Sequence, residues 1–353
     1  MKKNLIKATA LLSTLALTGA AFAGCLQQSN PSTVITTSEV PSTTVVEIPE
    51  SPDTVKPVTE AEYMPFIEGQ IEAIVKKDNV YGLKQDASYN INTMREAIEE
   101  QYLDTYGDIN PKSIESVDYG FIDCGNDGAL ELAIRVTGNN AEGLDSVQDY
   151  YIVKLMGGVF YIVDWYESYY RAWGELNKYG IFHMSGSGGA SLMVESYERA
   201  NADGVHEFIY SAEYELAMGD PVIYGYELPS DAELPEDYPR YAESFGNNER
   251  IKYSFAPYDY TFKEGTPAYD DYLRQMVYLF HDSEGNAIFP SDELVNMYMD
   301  LGVVVTDDNN RDQLILERLH ELGISEQELK SPENDQNNAI DWKMQWDGLE
   351  AQP

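Results

Sequence analysis

Apolar residues recur at helical spacing near both ends of the chain and in alternation through its middle. Tyr63, Phe66, Ile67, Ile71, Ile74 and Val75 share one face of a helix expected over about 60–77. A second helix is expected from about 91 to 106, with Asn92 or Thr93 as cap and Gly107 as stop. From 114 to 262 the period changes to strands. DYYIVKL (149–155) and VFYIVDWY (159–166) read as a hairpin turning at Met156-Gly157-Gly158, with Val159, Tyr161, Val163 and Trp165 alternating against Phe160, Ile162 and Asp164. Further strands are expected at 191–198, 205–216, 221–228 and 251–255. Between the last two, residues 229–249 are polar, with a short helix near 237–245. Helices return at about 267–281, 291–301 and 308–322. In the last of these Leu314, Ile315, Arg318, Leu319 and Leu322 share a face. The fold class this implies is α+β: an antiparallel β meander flanked by N-terminal and C-terminal α-helices.

The N-terminus has a different pattern. Lys2, Lys3 and Lys7 precede an apolar stretch from Ala8 to about Ala23, which is too short and too rich in small residues to span a bilayer. Phe22-Ala23-Gly24-Cys25 resembles a lipoprotein box, with Cys25 as the lipidated first residue; Ala21-Phe22-Ala23 also fits ordinary signal cleavage. Residues 26–60 are dominated by Ser, Thr, Pro and Val and show no helical period, which is the composition of a tether. The organisation read from this is a signal peptide (1–24), a tether (25–58), an α+β domain (59–262), a C-terminal helical segment (263–330) and a polar tail (331–353). That tail contains Trp342 and Trp346 and reads as loose.

Charge narrows the partners. The formal net charge is −38, and removing residues 1–24 takes Lys2, Lys3 and Lys7 with it. Such a chain repels nucleic acid and anionic headgroups. If Cys25 is acylated, Cys124 has no partner in the chain. No disulfide framework is then possible, and Cys124 reads as a packed small residue.

Two acidic stretches are candidate cation sites. In FIDCGNDGALEL (121–132), Asp123 and Asp127 take the first and fifth positions of a short calcium loop, with Glu131 at the ninth. Gly125 stands at the third position and offers no side-chain oxygen. Calcium takes about six to eight oxygens, so these residues would need backbone carbonyls and water beside them. The competing reading is an Asx turn at Asp123 with Gly128 at positive φ. In HDSEGNAIFPSDE (281–293), Asp282, Glu284, Asn286 and Glu293 fall at the first, third, fifth and twelfth positions of an EF-hand-like loop. Ala287 occupies the place where such a loop needs Gly. The competing reading there is a helix–turn–helix capped by Ser291 or Asp292.

The runs YGFIDCGNDGALELAIRV, YYIVKLMGGVFYIV and ELNKYGIFHMSGSGGAS resemble a set of poorly characterised exported lipoproteins of Gram-positive gut bacteria, marked by a D-x-[DN]-x-D-G-x-x-E-L segment. The resemblance covers about 115–215. It implies an anchored surface protein, a mixed helix-and-sheet domain and calcium at Asp123 and Asp127. It implies no reaction.

Catalytic signatures are absent from the sequence. None of the four histidines pairs at zinc spacing, and His206-Glu207 is followed by Tyr210 where a metalloprotease helix needs His. MSGSGGAS (184–191) lacks G-x-S-x-G because residue 185 is Ser. Tyr150, Tyr151, Tyr161, Trp165, Tyr166, Tyr169, Tyr170 and Trp173 cluster along the chain, either as core or as a face for stacking on sugars or peptides. The expected function is a non-catalytic, lipid-anchored extracellular protein at the bacterial cell membrane. It would be held by its N-terminal lipid, bind a carbohydrate or protein, and be steadied by calcium. The alternatives are a secreted hydrolase acting on polysaccharide through an acidic residue pair, and a solute-binding lipoprotein, which the strand-rich middle disfavours.

Overall fold

The computed structural model describes residues 57–104, 113–139, 147–168, 171–187, 192–216, 249–257 and 304–347, with shorter stretches between 267 and 299. Within them the chain is α+β and mostly strand. Thirteen strands form two sheets among the described residues.

The first sheet runs in the order β13-β3-β4-β5-β6-β1-β2. Its strands are β1 (Ala73–Val75), β2 (Ser88–Tyr89), β3 (Ser113–Ile122), β4 (Glu131–Asn139), β5 (Val147–Met156), β6 (Val159–Ser168) and β13 (Lys343–Asp347). All neighbours are antiparallel except β1 and β6, which run parallel with Ala73 opposite Phe160 and Val75 opposite Ile162. The second sheet is β12-β11-β10-β9-β8-β7, antiparallel throughout. It comprises β7 (Ala172–Leu176), β8 (Ile181–Ser187), β9 (Leu192–Ala200), β10 (His206–Leu216), β11 (Glu249–Ser254) and β12 (Met276–His281). The expected single meander thus becomes two sheets, and only the coarser α+β class carries over.

Three apolar cores set the layering. One packs helices α1 (Glu60–Ile67) and α2 (Ile91–Asp104) against the outer face of the first sheet through Phe66, Met94, Ile98, Ile134, Phe160 and Ile162. The second lies between the sheets, where Ile122, Cys124, Tyr150, Ile152, Val163 and Tyr166 meet Leu176, Phe182 and Ala200. The third holds helix α3 (Asp308–Leu322) on the far face of the second sheet, with Leu319 against Ile209, Ile251 and Leu279. The side chain of Asp307 caps α3 by accepting from Asn310 N at 2.8 Å, and Gly323 ends it in the left-handed region.

Four expectations are corrected. The helix at 60–77 stops at Ile67: Pro65 weakens the ladder, Gly69 turns the chain at φ 72°, and β1 comes next. The expected helix 267–281 contains β12, whose residues Met276–Phe280 are buried on both faces, so the apolar run carries no period of 2. The tail is not loose over 331–347. After a short helix α4 (Glu326–Leu329), Asn338 donates to Gln327 O and Lys330 O, Ile340 enters the inter-sheet core, and β13 pairs with β3. Strict alternation along β6 also fails, at Val163, where its register against β5 shifts. Expectations at 221–228, 237–245 and most of 291–301 lie outside the described residues.

Candidate functional site

The most densely wired polar cluster among the described residues sits between the sheets at Asp164. Alternation would have placed Asp164 with Phe160 and Ile162, facing the helices. Instead Ile152 pairs with Asp164 and Val153 with Ile162, so Val163 is an extra residue in β6. This bulge moves Tyr166 into the inter-sheet core beside Val163 and moves Trp165 to the helix side beside Ile162. Asp164 is thereby turned toward the second sheet, with 0% of its surface exposed.

Both oxygens of Asp164 are occupied. Oδ1 accepts from Lys77 Nζ and from Trp165 N at 2.9 Å. Oδ2 accepts from the Tyr166 hydroxyl at 2.7 Å and from His206 Nδ1 at 2.9 Å. The same Nδ1 lies 3.3 Å from Lys77 Nζ, so it donates to Oδ2 when it carries the proton and accepts from Lys77 when it does not. Lys77 lies just past β1, and the parallel pairing of β1 with β6 brings it alongside Asp164. His206 opens β10 and crosses from the second sheet. Its Nε2 faces Glu198 Oε2 at 3.5 Å, and its side chain is 34% exposed. Burial alone would push the Asp164 carboxyl up. The hydrogen bond and charge of His206, with the Lys77 ammonium, outweigh burial and hold it below the ordinary value. Glu198 goes the other way: burial raises it, and His206 and Lys77 offset only part.

A second buried pair lies nearby in the first sheet. Glu131 opens β4 and points inward, accepting from Cys124 N at 2.8 Å and pairing with Lys154. Burial raises the carboxyl of Glu131 and the thiol of Cys124. Cys124 is fully buried, as expected of a packed residue rather than a nucleophile. Asp149, on β5, accepts from the Tyr102 hydroxyl at 2.6 Å and from Trp165 Nε1 at 2.9 Å. Burial pushes its carboxyl up to about 7.

The first acidic loop adopts the turn. Asp123 accepts backbone N–H groups from Asp127 at 2.9 Å and Gly128 at 3.0 Å, and Asp127 accepts from Ala129 N at 2.8 Å. Gly128 has φ 82°, as an Asx turn there requires, and Asn126 also sits at positive φ. Gly125 is explained by close approach: a Cβ there would lie 2.9 Å from Ala202 Cβ on the turn between β9 and β10. The structure brings Asp123 and Asp127 together but sends Glu131 to Lys154. In the second loop Asp282 and Glu293 lie outside the described residues, as does Cys25, and Glu284 and Asn286 flank the turn at Gly285. Among the described residues no three His, Cys, Asp or Glu side chains gather as a metal site.

Of the aromatic run, Tyr150, Tyr151 and Tyr166 are buried, while Trp173 on the edge strand β7 is 48% exposed. Sequence reasoning missed Lys77, Asp164, Glu198 and His206 as a group. One signal was available: Asp164 is the lone charge inside the apolar run 159–166. No family model, curated protein or solved structure matches the chain.

Proposed function

We propose that the chain is a lipid-anchored extracellular protein of a bacterial envelope whose folded body has a binding or surface role and performs no reaction on an outside substrate. One observation carries the second half of this reading. Asp164, the best-wired acid among the described residues, has no exposed surface and has donors on both oxygens. A polysaccharide hydrolase needs two carboxyls that reach the scissile bond. Asp164 and Glu198 show the opposed shifts of such a pair, yet Asp164 cannot touch a sugar.

The anchor rests on sequence: the basic start, the short apolar stretch, Cys25 and the Ser/Thr/Pro segment behind it. The resemblance to exported lipoproteins agrees with it. No helix of the described residues is long and apolar enough to cross a membrane. The test is to express the full chain in a Gram-positive host fed a tagged fatty acid, beside Cys25→Ser. The wild type should carry the label, sediment with membranes and be digested by protease added to intact cells. Cys25→Ser should be unlabelled. A wild-type chain that stays unlabelled in the cytosol with Met1 attached would end the reading.

A further inference from the structure

The Asp164 cluster contains every part needed for a reaction of the protein on itself. We propose that Lys77 and Asp164 condense into an intramolecular amide, with Tyr166 and His206 holding the acyl oxygen and Glu198 carrying protons. The inference does not depend on the lipid anchor.

Four features support it. Lys77 Nζ rests against Oδ1 of Asp164, so nucleophile and carboxyl are already paired. Asp164 is fully buried, so the carboxyl itself has no contact with bulk water, while Lys77 reaches it from a partly exposed side chain. Oδ2 is held by two donors, the Tyr166 hydroxyl at 2.7 Å and His206 Nδ1 at 2.9 Å, aimed where negative charge develops on addition. Glu198 Oε2 lies 3.5 Å from His206 Nε2, whose Nδ1 lies 3.3 Å from Lys77 Nζ, so the His206 ring connects the amine to Glu198, whose carboxyl burial raises.

The step balances without a co-reactant. Lys77 as ammonium yields a proton to Glu198, which passes it to Oδ1 of Asp164, and the freed Nζ lone pair then attacks Cγ of the neutral carboxyl to form the C–N bond. The oxyanion at Oδ2 is held by Tyr166 and His206. The C–Oδ1 bond then breaks, and Oδ1 leaves as water with the proton already passed to it by Glu198 and a second proton from Nζ. One hydrogen stays on the amide nitrogen, nothing is oxidised or reduced, and one water is lost per chain. The link would join the segment after β1 to β6 across 87 residues of sequence. It would pin the three-residue strand β1, near the start of the folded body, to the middle of the first sheet.

Intact mass spectrometry of the purified chain after denaturation tests this. The wild type should be one water lighter than its sequence mass, and digestion should yield a branched peptide joining Lys77 to Asp164. Lys77→Arg keeps the positive charge but cannot form this link, and Glu198→Gln removes the proton carrier; both should show the full sequence mass. A wild-type chain at full sequence mass, with Lys77 open to amine acetylation once unfolded, would overturn the proposal. So would a missing water that maps to Asp127-Gly128 as a succinimide. Because the decisive reading is made on the wild type, a variant that fails to fold does not protect the proposal.

Discussion

At the residue scale the buried acids have opposite effects on stability. Asp149 is raised to about 7 in the folded chain from an ordinary value of 3.8, so the native state holds its proton where the unfolded chain has released it. Its contribution is fully present below pH 4 and is lost as pH rises through 7. A shift of that size corresponds to roughly 4 kcal/mol between pH 4 and 8. Urea unfolding of wild type and Asp149→Asn across this range should show the variant gaining on the wild type as pH rises, and a pH-independent difference would refute this. While Lys77 and Asp164 are unlinked, as in Lys77→Arg, Asp164 has the opposite sign: its lowered carboxyl adds stability above the ordinary carboxylate range and loses it in acid. Sequence could not separate these two acids. Both sit in strands, and only the partners brought by folding, Tyr102 and Trp165 for one and Lys77 and His206 for the other, decide the direction.

At the element scale, helices with strong periods were legible but their caps were not: Asn90, rather than Asn92 or Thr93, accepts from the first turn of α2. Helix α2 and helix α3 fall where the apolar spacing put them, and Leu314, Ile315, Leu319 and Leu322 are the face that packs. Arg318, on that same stripe, instead donates to the carbonyls of Phe208 at 2.7 Å and Ile209 at 3.2 Å where β10 is irregular. The bulge at Val163 was not legible, because one extra residue leaves the apolar count of the strand unchanged while reversing the facing of every later residue. Nor was β13, whose Lys343-to-Asp347 stretch is polar. Trp342 stacks under Arg135 and Trp346 under Arg95, contacts that exist only once the strand docks. Two glycines fix how closely elements approach. A Cβ at Gly186 would overlap the backbone of Arg171 and Ala172 beside β7, which cannot rotate aside; at Gly120 it would meet the side chain of Ile340, which can. Gly186→Ala should therefore cost on the order of 1–3 kcal/mol and Gly120→Ala distinctly less. Thermal unfolding checks the order, and equal losses would count against it.

At the scale of the whole molecule, this is an acidic body that satisfies its buried carboxylates internally. Donors within the chain hold Asp123, Glu131, Asp149 and Asp164, so a cation at the first loop would share Asp123 with backbone N–H groups and would not have Glu131, which pairs with Lys154. Midpoints of thermal unfolding in calcium and in chelator should coincide if the loop is a turn alone, and a midpoint that climbs with calcium concentration would show a metal there. The layered architecture was only coarsely legible: the alternating middle of the chain announced antiparallel strands, but nothing local told β6 and β7 to part into different sheets. One polar junction between those sheets is Asp164, held by Lys77 and Tyr166 from the first and His206 from the second, beside the contacts of Tyr150 and Ser168 with Gly174. The most direct measurement is urea unfolding of Asp164→Ala beside the wild type. Removing one partner of a buried charge cluster should cost roughly 3–5 kcal/mol and strand Lys77 and His206 without their acceptor. A variant with the wild-type midpoint and slope would contradict the claim that this cluster helps hold the two sheets together.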